Sequence, residues 1–267
     1  MNKKSNRIVM KKIEKRIFLS CLLLLSILYV GKCLSLRLVP RTVAHTEGDC
    51  MLYYLVNIDG MKGLGHSILL LTDTTGAGTV LSFNGMQRSL PESLLGQSGV
   101  GKMSVGNMDA KEVIRFLQTG NLELDKDQLQ DNYDWALCRP ITEETYRHIL
   151  EQARPYLEAG ERFETLYVKW AQAAKPEEKE LLAGALEEMG QDQSLPLYNI
   201  YSNNCDHTAR KLAALADKDL RDYNQSTIHL TPCGNLKAFA KQAPAWGVME
   251  LGENSYREKL AEFLMIF

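Results

Sequence analysis

Two short segments far apart in the chain carry the residue types of a thiol active site. They are Gly65-His66-Ser67 and Asn203-Asn204-Cys205-Asp206-His207. A cysteine attacks as its thiolate, and a helix N-terminus or a nearby imidazole lowers the thiol pKa. Cys205 stands where an amphipathic helix should begin, because Ala209, Leu212, Ala213 and Leu215 recur at helical spacing. The thiol therefore falls at the N-cap or first turn. There the helix dipole and unused N–H groups favour a thiolate and can hold a developing oxyanion. His66 heads the apolar run to Thr72, from which its imidazole would project toward such a helix end. Gly63 and Gly65 leave the backbone around it open.

Each residue has a plainer reading. A lone cysteine is commonly a small buried hydrophobe, and a lone histidine beside an apolar run is commonly structural. The Asn203-Asn204 pair tells against the first, since two amides are costly to place before an inert core residue. His207 would point about 200° around the helix from Cys205, which makes it a rim residue rather than the base. His45, His148 and His229 lack supporting neighbours. His66, His207 and Asp206 are metal-ligand types, but their spacing is unusual for a metal and no CxxC pair exists. No metal and no cofactor is expected.

The elements that must position these residues can be read from periodicity. Met51–Ile58 is β-rich and is followed by the Asp59-Gly60 turn signal. His66–Thr72 and Thr79–Asn84 are the next two strands, joined by a turn over Thr74–Gly78, which suggests an antiparallel meander. Residues 85–106 are rich in Gly and Ser and read as a long loop. Asp109–Gly120 predicts a short helix capped by Asp109. Trp135–Arg139 predicts a strand ended by Pro140. A helix opens at Thr142 and runs to about Leu157. One or two further helices over 161–189, broken near Pro176, read as an inserted cap within about 161–195. After the Cys205 helix, Gly234–Lys241 follows Thr231-Pro232 as another. The fold class is α+β: an antiparallel sheet packed with helices.

The 267 residues, 45% hydrophobic and 24% charged, suit one domain with a substantial core. The net charge of −2 hides an asymmetry. Residues 1–16 carry seven Lys or Arg against Glu14, so they hold +6 and the rest −8. An acidic domain argues against nucleic acid as a partner. The basic stretch leads into the uncharged run Ile17–Gly31, closed by Lys32. This predicts an N-terminal hydrophobic helix, a signal peptide or signal anchor over 1–36, with a linker over 37–49. The positive end should stay cytoplasmic and the domain lie outside. The protein is then membrane-anchored and extracytoplasmic, or secreted if the signal is cleaved. Outside the cell one disulfide among Cys50, Cys138 and Cys233 is open, and nothing selects it.

The order of a strand histidine first and an Asn-Cys helix last resembles the circularly permuted papain-like thiol enzymes. That superfamily includes NlpC-type cell-wall peptidases and lecithin–retinol acyltransferase-like proteins. The matching pieces are Gly65–Leu70 and Tyr198–His207, the latter similar to the Asn-Cys-Glu-His stretch of the acyltransferase branch. The resemblance covers roughly residues 50–240 and implies a papain-like domain over 50–267. It implies Cys205 as nucleophile and His66 as base, with a third polar residue on the next strand. The candidates there are Ser82 and Asn84; Asn84 is favoured, because an amide can hold the imidazole's orientation. Asn204 and Tyr198 are candidates for site lining, Tyr198 also as an oxyanion donor. The acyltransferase branch has a histidine in the third role, and this chain has none there.

The expected function is a cysteine hydrolase of amidase or peptidase type working through a thioester. The alternatives are a membrane-surface acyltransferase or lipase of the same fold, and a catalytically inactive ligand-binding module. The expected partners are a peptide, amide or lipid acyl substrate, and a membrane through the N-terminal segment.

Overall fold

A computed structural model of the chain describes residues 20, 24 and 38–252, apart from 47, 61–64, 125–128, 218–219 and 221–231. The expected N-terminal helix over 1–36, Gly63 and His229 lie outside the described residues. Among the described residues no helix is long and apolar enough to cross a membrane.

In chain order the strands are β1 (Cys50–Asn57), β2 (His66–Thr72), β3 (Gly78–Gly85), β4 (Gly101–Met108), β5 (Asn121–Leu124), β6 (Leu129–Asn132), β7 (Trp135–Ile141) and β8 (Gly247–Glu250). The helices are α1 (Leu90–Leu94), α2 (Ala110–Thr119), α3 (Glu143–Gln172), α4 (Pro176–Gln191), α5 (Cys205–Ala213) and α6 (Pro232–Gln242). Six strands form one antiparallel sheet in the order β4-β3-β2-β1-β7-β8, and β5-β6 is a separate hairpin. The fold is α+β.

Every residue of β2 is buried, so the sheet is covered on both faces. Strand alternation divides it. Leu55, Ile68, Leu70 and Val80 pack with Val113 and Phe116 of α2. The other face, with Tyr54 and Phe83, meets Tyr156 of α3, Tyr198 and Phe239 of α6.

Three expectations change. Residues 85–106 are not one long loop, since they contain α1 and most of β4. The glycines there serve close packing: a Cβ on Gly101 would sit 2.4 Å from the Phe83 ring. Pro140 does not end its strand. β8 pairs only with Trp135–Cys138, so β7 has an open side at Pro140 where no donor is needed. The helix from Thr142 does not stop near Leu157 but runs through Pro155 and Gly160 to Gln172. Gly160 lies against Lys102 of β4, and a Cβ there would be 3.0 Å from the Lys102 Cα. The chain turns back at Pro176, and Phe163, Leu186, Met189 and Leu197 close the α3–α4 hairpin.

Candidate thiol site

Cys205 is the first residue of α5. Asn204 is the N-cap: its Oδ1 accepts from the His207 N–H at 3.0 Å, and its Nδ2 donates to the Ile200 carbonyl at 2.9 Å. These bonds fix where the helix starts and so where the thiol lies. His207 turns back onto the same cap, its Nδ1 2.8 Å from Asn204 Oδ1. It is a capping residue.

β2 and β3 pair over Leu69–Thr72 and Gly78–Leu81, and their register is not continued toward His66. The N-terminus of α5 meets β2 at this parting. The backbone N–H of Ser67 faces the Cys205 thiol there, together with the N–H groups of Asp206 and Cys205 itself. Three donors thus surround one sulfur, the arrangement that would favour a thiolate. Burial outweighs them. Cys205 is 2% exposed, and desolvation, with the Asp206 charge adding to it, pushes the thiol up to about 12. The expectation of a thiol lowered by the helix end and the imidazole is therefore reversed in the resting protein.

His66 precedes Ser67 in the chain, but alternation turns its ring to the α2 side with Ile68 and Leu70. Its Nε2 is 3.0 Å from Ser82 Oγ, and its Nδ1 is buried without a hydrogen-bond partner. Burial lowers the imidazole to about 4. Thiol and imidazole are both neutral at pH 7. Asn84 does not hold the ring itself: its Nδ2 donates to Ser82 Oγ at 3.1 Å. Of the two candidates for the third position, Ser82 touches the imidazole and Asn84 supports Ser82.

Two glycines give the site its space. A Cβ on Gly60 would sit 2.8 Å from the His66 Cβ, and one on Gly85 would sit 2.9 Å from the Tyr198 ring. The turn closes with the Gly65 N–H donating to the Gly60 carbonyl at 2.8 Å, Gly65 at φ 90°. The Tyr198 hydroxyl faces the Cys205 backbone N–H, and burial followed by the Cys205 charge raises its pKa.

A buried polar cluster behind the thiol is not visible in the spacing of the sequence. Asp206, fully buried, accepts from the Tyr54 hydroxyl, from Ser67 Oγ at 3.3 Å, from Asn235 Nδ2, and from Arg210 Nε at 2.9 Å. Tyr54 and Ser67 lie 3.1 Å apart. One carboxylate thereby ties α5 to β1, β2 and α6. The only sequence signal was Asp206 beside Cys205.

The pair is closed to solvent, His66 being 7% exposed. Two clefts lie elsewhere. One of about 640 Å³ runs between α3 and α4, the other of about 630 Å³ along β4, and neither touches Cys205 or His66. Cys50 and Cys138 carry free thiols, and the Cys233 side chain lies outside the described residues. Among the described residues no three His, Cys, Asp or Glu cluster as metal ligands. No family model, curated protein or solved structure matches the chain.

Proposed function

We propose that the chain is a cysteine-dependent amide hydrolase of circularly permuted papain-like type. The reading rests on one observation: a buried imidazole with an unpartnered Nδ1 adjoins the peptide whose N–H faces a thiol at a helix N-terminus. For Nδ1 to act as base, Nε2 must carry the ring proton and donate it to Ser82 Oγ. That oxygen has two lone pairs, one for the imidazole and one for the Asn84 amide.

The sulfur then attacks the substrate carbonyl as its proton passes to His66 Nδ1. The oxyanion forms at the Cys205 and Asp206 N–H groups and the Tyr198 hydroxyl. His66 returns the proton to the leaving amine, leaving a thioester. Water attacks the thioester, losing one proton to His66, and the carboxylic acid departs as the proton goes back to sulfur. The neutral resting pair means that charge separates only as bonds change. This requires the ring or the thiol to rotate until Nδ1 meets Sγ.

The basic start and apolar run of the sequence support a domain held outside a membrane or exported, which puts peptides and cell-wall amides within its reach. A second reading, acyl transfer from lipid, is favoured by the exposed Leu94, Leu95 and Tyr201. The Tyr201 hydroxyl donates to the Leu94 carbonyl at 2.6 Å in the turn just before Cys205. A third, a binding module without catalysis, draws on the closed, high-pKa thiol. The test offers the full chain a set of peptide amides and, separately, phospholipid vesicles. Amine release lost in Cys205→Ala with unchanged circular dichroism supports the first reading. Lipid acyl transfer alone selects the second, and no turnover of either selects the third.

A further inference from the structure

The outer edge of the sheet offers a second place to bind a ligand, independent of the thiol. β4 is the terminal strand. It keeps eight consecutive pairs with β3, from Gly78↔Met108 to Gly85↔Gly101, without a bulge and without proline. Among the described residues the N–H and C=O groups on its far side have no strand partner. Proteins normally blunt an edge this long and regular by shortening, twisting or covering it. Here the edge is walled instead.

On one side stands α3, with Leu157, Glu161 and Glu164. On the other stand Leu124 and Glu123 of β5, with Glu112 of α2. Between them lies a cleft of about 630 Å³ whose floor is β4 itself, from Lys102 to Asn107. Ser104 and Gly106 are partly exposed and Val105 and Asn107 are exposed, so solvent reaches the strand.

The walls hold four carboxylates. Among the described residues the one cation lining the cleft, Lys102, pairs with Glu164 at 2.5 Å. A second copy of the chain would bring the same acidic walls against these and be repelled.

We propose that β4 accepts an extended basic peptide as a seventh strand. Lys or Arg side chains of the peptide would face Glu112, Glu123 and Glu161. Its backbone would complete the β4 ladder over about four residues, Ser104–Asn107, roughly 13 Å, because Gly160 of α3 lies against Lys102. The main-chain bonds supply affinity for any extended segment, and the walls select the positive ones.

The test uses a fluorescein-labelled peptide of alternating Lys and Val with the full chain, followed by fluorescence anisotropy. A set of the same peptide N-methylated at one backbone position at a time separates strand addition from plain charge attraction. Strand addition predicts that methylation at every second residue weakens binding about tenfold or more, the loss of one ladder bond with its unpaired partner, while the intervening positions change little. Glu123→Lys with Glu161→Lys weakens it similarly, and Cys205→Ala leaves it unchanged. Binding indifferent to N-methylation reduces the cleft to an acidic surface and overturns the proposal, as does no binding at all. A peptide-sensitive dimer in sedimentation would make the occupant a second copy and overturn the choice of partner.

Discussion

The neutral resting pair makes an unusual prediction for alkylation of Cys205. Burial places the thiol at about 12. At pH 7 about one molecule in 10⁵ is then thiolate, against about one in 30 for an ordinary cysteine near 8.5, a deficit of about 3,000-fold. The more basic thiolate is the better nucleophile, and a Brønsted slope of about 0.4–0.5 returns roughly 30-fold. Iodoacetamide should therefore label Cys205 about 100-fold more slowly than free cysteine at pH 7, before any further delay from the closed site. The rate should climb about tenfold per pH unit through pH 10 without a plateau. The assay is peptide-resolved mass spectrometry of the full chain, which separates Cys205 from Cys50 and Cys138. Fast labelling with a plateau below pH 7 would refute the reasoning, because it requires a standing thiolate–imidazolium pair. Slow labelling does not distinguish a hydrolase from an inactive module, so alkylation tests the electrostatics and a separate measurement must test the chemistry.

His66 contributes a pH-dependent stability of calculable sign. Its folded pKa of about 4 lies below the unfolded 6.5, so between these values the unfolded chain binds the extra proton. Stability from this group is complete above pH 6.5 and lost as pH falls toward 4, by about 3 kcal/mol. Urea unfolding of wild type and His66→Gln should differ by that slope in that window, and parallel pH profiles would contradict it. Asp206→Ala removes the buried carboxylate on which Tyr54, Ser67 and Arg210 converge and should cost about 3–5 kcal/mol, read as a lowered urea midpoint; a loss below 1 kcal/mol would show that the cluster does not hold α5. Gly60→Ala forces its Cβ onto His66 and should cost about 1–3 kcal/mol while suppressing acylation of Cys205; unchanged acylation would mean that the position of His66 does not matter.

The sheet that carries His66 and the helix that carries Cys205 were legible because their signals are local. β2 is an unbroken apolar run that opens at His66, and α5 has an amide cap, a polar first turn and an apolar stripe. β4 was hidden because Gly101 and Gly106 look like loop residues until Phe83 and Leu124 are seen against them. The far half of α3 was hidden because Gly160 looks like a terminator, and only its packing on Lys102 explains it. The third site position could be narrowed to Ser82 and Asn84 by their common face. Choosing between them needed the tertiary contact, because the β2–β3 pairing stops at Leu69↔Leu81 and only the 3.0 Å approach of His66 Nε2 to Ser82 Oγ decides it. The direction of the Cys205 shift was not legible either. A helix N-terminus argues for a thiolate, but the depth at which α5 is buried is a property of the whole packing.

The central claim is that Cys205 and His66 act together on a carbonyl. The most direct test exposes the full chain to p-nitrophenyl acetate near neutral pH and maps acetyl groups by mass spectrometry. The account predicts acetylation of Cys205 ahead of Cys50 and Cys138, absent in Cys205→Ala and slowed about 100-fold or more in His66→Ala, in line with loss of a general base. Acetylation of Cys205 at an unchanged rate in His66→Ala, or none at Cys205 in the wild type, would contradict it.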